Sequence, residues 1–255
     1  MKDVINIFLL LLRLKKTKMK ITGFLYAAGL GTRLYPLTAS KPKALVRYNG
    51  KTLLDNALEK LFGAGVSEVI VNVHHFPDMM VEALRQHPCA SRIRVSDERA
   101  YLRDTAGGLK FAEHLWQHSD LLLLYNVDIV SNINLNNLID SHIEHKADAT
   151  LAVRHRQTQR YFLFNRENGQ LCGWRNIKSG EEILTGIADN AEELAFSGIH
   201  LMNTDLAHTI PSVEKSSITR FYLSQSENRR ILAHTHDGDE WCDVGKYDQF
   251  RNLLS

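Results

Sequence analysis

The chain of 255 residues is short of most features that would assign it at a glance. Its three cysteines, Cys89, Cys172 and Cys242, are odd in number and show no CxxC spacing. That excludes a disulfide framework or a cysteine zinc site and predicts a reducing compartment, the cytoplasm. Five prolines make no Pro-rich linker, and there is no internal repeat or low-complexity tract. Aromatics are 8% of the residues and the net charge is +2 with twelve histidines neutral, so no basic, aromatic-laced surface exists for nucleic acid. The apolar run at residues 4–12 is too short to cross a bilayer, which takes about 20 residues. It also lacks a small-residue cleavage site. Residues 1–18 therefore read as an extension ahead of Met19, with no stable membrane insertion, and residues 19–255 as a single domain of two lobes with a cleft between them.

What is present is a core-forming chain, 44% apolar and 24% charged. Apolar runs alternate with amphipathic segments. Strands are predicted at residues 21–27, 67–73, 92–96, 120–128 and 147–153. Helices are predicted at 52–62, 78–86, 106–117 and 135–144. This rhythm predicts an α/β fold with a mixed, mostly parallel central sheet and helices on both faces. After residue 153 the rhythm weakens. "RYFLFN", "GQLCGWRN", "AFSGIHLM" and "RRILAHTHD" read as further strands, 219–226 as a helix and 246–254 as a closing helix.

The chemistry starts in "YAAGLGTRLYPLTASKPKALV", residues 26–46. It follows a strand and reads as a flexible, cationic loop, with no acid before Asp55. The glycines alone leave three readings open. A Walker A loop needs Lys and Ser/Thr after its last glycine, and Thr32-Arg33 stands there. A dinucleotide fingerprint needs a third glycine where Leu34 sits. A plain strand-to-helix turn also uses glycines. Arg33 and Lys43 shift the balance toward phosphate, because backbone N–H groups near glycine form an anion nest and the two cations supply a fork and a point charge.

The stretch "AAGLGTRLYPLTASKPKAL" resembles the G-x-G-T-R-x-x-P-(x)5-P-K signature of the sugar-1-phosphate nucleotidyltransferases, and the resemblance extends from residue 19 to 255. It implies a Rossmann-like nucleotidyltransferase fold. It implies that Ala28, Gly29, Gly31, Thr32 and Arg33 embrace the triphosphate of an NTP, and that Arg33 and Lys43 act at the reacting phosphates. Tyr26 stands where the family usually has Leu, with little effect expected at a strand end. "NVD" resembles the family's N-G-D element and "WCDVG" its W-x-D-x-G element, which implies that Asp128 and Asp243 bind one Mg²⁺. Taken alone, each aspartate also reads as a turn or helix-start residue. Val127 replaces the usual glycine between Asn126 and Asp128, and its branched side chain is expected to narrow the pocket.

The resemblance further implies that Gly107 and Gly108 in "DTAGG" lie against the nucleobase, and that Asn126 and Gly198, the latter in "FSGIHLM", face the sugar. A helix start explains the first pair equally well on sequence alone. His74 and His75 are adjacent on a strand, point to opposite faces and cannot share an ion easily. "HTHDGDE", residues 234–240, reads as a solvated turn. Trp174 and Arg175 are candidates for the border of the sugar site.

The reaction implied is transfer of a nucleotidyl group from an NTP to a sugar 1-phosphate, releasing pyrophosphate. The elements "DTAGG", "FSGIHLM" and "WCDVG", and a chain that stops soon after the last of them without an appended β-helix, look most like family members that join UTP to N-acetylmuramate 1-phosphate in cell-wall recycling. Guanylyl transfer to mannose or heptose 1-phosphate is the second reading, and cytidylyl transfer to phosphocholine a more distant one. A binding protein for nucleotide sugars is the alternative of another class, although such a protein is expected to have lost Lys43 or a metal aspartate. A partner-binding role for residues 4–12 is compatible with any of these.

Overall fold

Every residue of strand β1 (Ile21–Tyr26) is buried, and its side chains go alternately to two apolar layers. Ile21 and Leu25 join one core cluster, Phe24 and Tyr26 the other. This is the period-2 signature of a strand covered on both faces. The computed structural model describes residues 19–212 and 214–245. The apolar run at 4–12 and the closing helix expected at 246–254 lie outside the described residues. Among the described residues, no helix is long and apolar enough to cross a membrane.

After β1 come the short hairpin β2 (Arg47–Tyr48) and β3 (Lys51–Thr52) and helix α1 (Leu53–Gly63). Thr52 and Asp55 form a reciprocal capping box at the start of α1, each side chain accepting from the other's backbone N–H. That pairing satisfies two N–H groups that a helix start otherwise leaves open. Strand β4 (Glu68–Val73), helix α2 (Pro77–Gln86) with Pro77 opening it, and strand β5 (Ile93–Asp97) follow.

The helix expected over 106–117 is broken. Helix α3 (Asp104–Phe111) ends at Ala112, and α4 (Glu113–Trp116) is a single turn. The Trp116 indole N–H donates to the Leu109 carbonyl at 2.9 Å, and the ring is fully buried. Burying that ring sets the bend, which overrides local helix propensity.

Strand β6 (Leu121–Asn126) is shorter than the 120–128 expected. The chain turns at Val127 and Asp128 into β7 (Ile129–Ser131), then α5 (Leu135–Glu144) and β8 (Ala149–Arg154). Next are β9 (Arg160–Asn165), β10 (Leu171–Asn176), β11 (Glu181–Leu184) and the long β12 (Ala191–Asn203). Helices α6 (Thr204–His208) and α7 (Ile218–Gln225) precede β13 (Ile231–Thr235) and β14 (Trp241–Asp243).

The main sheet runs β11-β10-β9-β12-β6-β1-β4-β5, with β8 paired to β12 and β13 to β8. The four strands β6, β1, β4 and β5 are parallel. Beyond them β12 turns antiparallel and carries the sheet into the β9–β11 antiparallel extension. The result is a mixed sheet of Rossmann-like type. Residues of α1, α2 and α5 pack in one core layer, and residues of α3, α4, α6 and α7 in the other. The ends of β1, β4 and β6 open on one edge, where open α/β sheets bind ligands.

Candidate active site

The loop after β1 is pinned at several points, contrary to the flexible loop its composition suggests. The N–H groups of Ala27 and Ala28 donate to Asn72 Oδ1 at 2.7 and 3.2 Å. Gly31 has φ +67, a left-handed conformation that glycine adopts at little cost. A side chain there would also meet Thr38 Cγ2 at 3.0 Å and Lys43 Cβ at 3.2 Å. Thr32–Leu34 and Lys43–Leu45 are single 3₁₀ turns, and Leu34, Ala44 and Val46 are buried beneath them. These apolar anchors hold Arg33 and Lys43 toward the same edge of the sheet.

Four of the expected residues meet there. Lys43 Nζ donates to Asp128 Oδ2 at 2.8 Å. Arg33 NH2 lies 3.8 Å from that oxygen, and Arg33 NH1 lies 3.9 Å from Asp243 Oδ2. Strands β7 and β14 pair with Asp243 opposite Ile129, which carries Asp243 beside the turn that holds Asp128. The Val244 N–H locks the arrangement by donating to the Asp128 carbonyl at 2.9 Å. Gly245 leaves room between the acids: a Cβ on it would lie 2.5 Å from Asp128 Oδ2 and 2.7 Å from Asp243 Oδ1.

The pair fits a hard divalent cation. Among the described residues no group of three or more His, Cys, Asp or Glu forms a fuller metal cage. Two carboxylates and no nitrogen or sulfur donor match Mg²⁺, which keeps several waters and takes few protein ligands. Asp128 is well buried and Asp243 partly so, with side-chain exposures of 8% and 26%.

A cavity of about 390 Å³ opens beside this cluster. Ala28, Gly29, Arg33, Lys43, Asn126 and Asp128 line it. Gly31 and Thr32 do not; they shape the turn that carries Arg33. Gly198 packs behind Asn126, with φ +75 and room for no side chain, since a Cβ would lie 2.7 Å from Asn126 Nδ2.

Residues 22–254 match the family described as nucleotidyl transferase. The chain belongs to that family. Over 89 residues it is 48% identical to the N-acetylmuramate alpha-1-phosphate uridylyltransferase of Caulobacter vibrioides, a match covering 34% of this chain and 37% of that protein. Over 232 residues it is 28% identical to the mannose-1-phosphate guanyltransferase of Yarrowia lipolytica, covering 89% of this chain and 61% of that protein. The catalytic subunit beta of mannose-1-phosphate guanylyltransferase from Dictyostelium discoideum is 25% identical over the same share of this chain and 62% of its own length. The match thus spans less than two thirds of each of these relatives.

Two expectations change with the geometry. Gly107 and Gly108 are buried in α3 and do not line the cavity. A Cβ on Gly108 would strike Glu98 Oε1 at 2.6 Å, so Gly108 packs behind the cavity wall, while one on Gly107 would crowd the Ser216 nitrogen at 3.2 Å and Gly107 borders a separate pocket with Arg103 and Lys110. Val127 is fully buried in the core and narrows nothing, because the turn after β6 aims it inward.

Other residues that the sequence reading passed over or, for Tyr26, discounted line the cavity. Tyr26 lines the cavity, although its hydroxyl is buried without a hydrogen-bond partner. Burial raises its pKa, and the charges of Glu98 and Asp104 push the same way. Glu98 accepts from Asn72 Nδ2 at 2.8 Å through Oε1, while Oε2 is buried and unpartnered. Burial raises the Glu98 pKa against the pull of the Asn72 hydrogen bond. Asp104, at φ +61, accepts from the Thr105 N–H at 2.7 Å and stands on the cavity wall with Thr105, Leu102 and Lys215. The signal available was polarity out of place: Asn72 inside an apolar strand, and Glu98 at the end of the next.

The other singled-out residues go elsewhere. His74 Nδ1 donates to the Glu98 carbonyl at 2.8 Å, and the His75 ring leans on Phe76 at an interplanar angle of 58°. The segment read as a solvated turn begins inside β13, and His236 is buried with Nε2 2.7 Å from Ser197 Oγ. Trp174 is buried and Arg175 is engaged by Glu182 and Glu193, away from the cavity lining.

Proposed function

We propose that this chain transfers a nucleotidyl group from an NTP to a sugar 1-phosphate, giving a nucleotide sugar and pyrophosphate. The observation that carries the reading is the meeting of Lys43, Arg33, Asp128 and Asp243 around Gly245. Two cations suit a polyphosphate, but two acids beside them would repel it. A divalent cation resolves that conflict, and Asp128 and Asp243 are the residues that would hold Mg²⁺. Bound there, Mg²⁺ supplies charge neutralisation at the α-phosphate.

The remaining work belongs to the chain's own side chains. Ala28, Gly29 and the turn at Gly31–Thr32 receive the triphosphate, and Arg33 holds the part that leaves as pyrophosphate. Lys43 stabilises charge on the group in transfer. An oxygen of the sugar 1-phosphate attacks the α-phosphorus, a new P–O bond forms, and the bond to pyrophosphate breaks. The attacking phosphate is ionised at neutral pH, so no general base is required and positioning with charge stabilisation carries the catalysis. Asn126, backed by Gly198, faces the acceptor. Asn72, Glu98 and Tyr26 wall the opposite end of the cavity, toward β4 and β5, where the base lies.

The preferred substrates are UTP and N-acetylmuramate 1-phosphate, a reading supported by the similarity to the Caulobacter uridylyltransferase. The longer similarity to mannose-1-phosphate guanyltransferases favours GTP and mannose 1-phosphate as the second reading. The test is pyrophosphate release with Mg²⁺ across UTP, GTP and CTP against N-acetylmuramate, N-acetylglucosamine, mannose and heptose 1-phosphates, with Asp128→Asn as the blank. Strong release in one combination names base and sugar together. A folded protein that releases no pyrophosphate and binds no NTP overturns the reading.

A further inference from the structure

Beyond Asp243 the carbonyls of β12 anchor a second cationic cluster, from the end of β8 and from β14, that the transfer chemistry does not use. The Phe196 carbonyl accepts from Arg156 NH2 at 3.0 Å. The Ser197 carbonyl accepts from the Trp241 indole N–H at 2.9 Å. Gly198, the next residue, packs against Asn126. Three consecutive residues thus tie Arg156, Trp241 and Asn126 together, and two residues of strand span only about 7 Å.

The Arg156 guanidinium lies 4.5 Å from the Trp241 ring centroid, and that of Arg154 lies 6.0 Å from it. Two like charges lie against one aromatic ring. Among the described residues neither guanidinium has a carboxylate partner within 4.0 Å. The acids nearby are committed: Asp237 and Glu192 to His155 at 2.6 and 2.9 Å, and Asp243 toward Arg33 at 3.9 Å. The Nε–H donors of both arginines are buried with no acceptor. A buried guanidinium donor without a partner is costly, and a planar fork of this kind suits a carboxylate.

We propose that Arg154 and Arg156, backed by Trp241, form an anion subsite that reads a carboxylate carried by the acceptor sugar, separate from its phosphate. The inference rests on the nucleotidyl-transfer reading and specifies the acceptor: a hexose 1-phosphate with an acidic substituent. The sugar's phosphate meets the α-phosphorus at the centre that Lys43 serves, while Arg33 holds the leaving pyrophosphate, so neither arginine of this cluster is needed for it. A sugar ring against Asn126, which Gly198 backs, sets a ring substituent toward the adjoining residues 196 and 197, where the arginines are anchored. A neutral hexose offers neither guanidinium a counter-charge: among the described residues Arg156 NH2 donates only to the Phe196 carbonyl and Arg154 NH1 to the Asp239 carbonyl at 3.3 Å.

The experiment compares N-acetylmuramate 1-phosphate with N-acetylglucosamine 1-phosphate, which has the same ring but lacks the carboxylate-bearing ether. Acceptor KM and kcat are measured for the wild type, Arg156→Gln, Arg156→Lys and Arg154→Gln, each checked for a wild-type melting temperature. The expected wild type prefers the acidic acceptor at least tenfold in kcat/KM. Arg156→Gln raises KM for that acceptor at least tenfold and brings the ratio between the two sugars toward one, and Arg156→Lys restores part of it. A wild type that treats both sugars alike, or a variant that slows both by one factor, overturns the subsite. If no acceptor releases pyrophosphate, the transfer reading fails instead. Calorimetric binding of N-acetylmuramate 1-phosphate, present in the wild type and lost in Arg156→Gln, then still supports the subsite, and equal binding by both proteins sinks it.

Discussion

Lys43 Nζ and Asp128 Oδ2 are 2.8 Å apart, with side-chain exposures of only 13% and 8%. A cation and an acid this sheltered depend on each other, because removing one strands the other in a poorly solvated site. Arg33, at 3.8 Å, replaces the lost charge only in part. Lys43→Ala is expected to slow pyrophosphate release at least tenfold, the effect of about 1.4 kcal/mol at the transition state. Asp128→Asn is expected to lose most turnover together with any Mg²⁺-dependent rise in melting temperature. Unchanged kinetics in Lys43→Ala, or an Asp128→Asn protein that Mg²⁺ still stabilises, would remove these residues from the site.

Gly245 is tested by adding a single methyl group. The new Cβ falls 2.5 Å from Asp128 Oδ2 and 2.7 Å from Asp243 Oδ1, closer than any real contact of that kind. The acids must separate or the turn must shift. Gly245→Ala is therefore expected to fold, to bind Mg²⁺ at least tenfold more weakly and to lose activity in parallel. Titration calorimetry with Mg²⁺ gives the answer directly, and wild-type affinity would show that the two carboxylates do not act as a unit.

Tyr26 offers a stability prediction of opposite sign. Its hydroxyl is buried without a partner, and leaving such a group unsatisfied costs about 1–3 kcal/mol. Tyr26→Phe keeps the ring, with its stacking on His200 at 6.3 Å, and removes only that oxygen. The ligand-free variant is expected to gain about 1 kcal/mol in urea unfolding. A loss of similar size would mean that the hydroxyl is hydrogen-bonded in solution.

These residues also show what the sequence carries and what it hides. The loop of Gly29, Gly31, Arg33 and Lys43 was legible because turn glycines, cations and prolines stand at fixed spacing. Asp128 was legible as an acid closing a strongly apolar strand. The alternation of apolar runs and amphipathic segments told strands from helices through β8. Tyr26 was misjudged because both faces of β1 are buried, so alternation cannot say which face borders a cavity. Val127 turned inward for a tertiary reason, the hydrogen bond from its N–H to the Tyr26 carbonyl at 3.2 Å. β11 escaped notice because it is a mostly exposed edge strand with two glutamates, which lacks an apolar pattern and resists edge pairing. The Arg154–Arg156–Trp241 cluster joins residues far apart in the chain through carbonyls of β12, which no spacing reveals.

His200 makes acid stability a measurable signature of the core. It is buried against Phe196 and Tyr222, with Nδ1 2.6 Å from the Tyr222 hydroxyl, and burial lowers its pKa to about 3. The unfolded chain takes up this proton near pH 6.5, whereas the folded chain stays neutral until about pH 3. The unfolded state therefore binds more protons in that window. The His200 contribution is fully present above pH 6.5 and is lost as pH falls toward 3. Each pH unit inside the window costs about 1.4 kcal/mol, so lowering pH from about 7 to about 5 should remove about 2 kcal/mol. His234 and His236 are also held low by burial and add to the same slope. His200→Phe removes one titrating group and should flatten the acid limb by about that amount, read as the difference in urea midpoints at the two pH values. An unchanged slope in the variant would show that His200 is charged, or reached by water, in the folded protein.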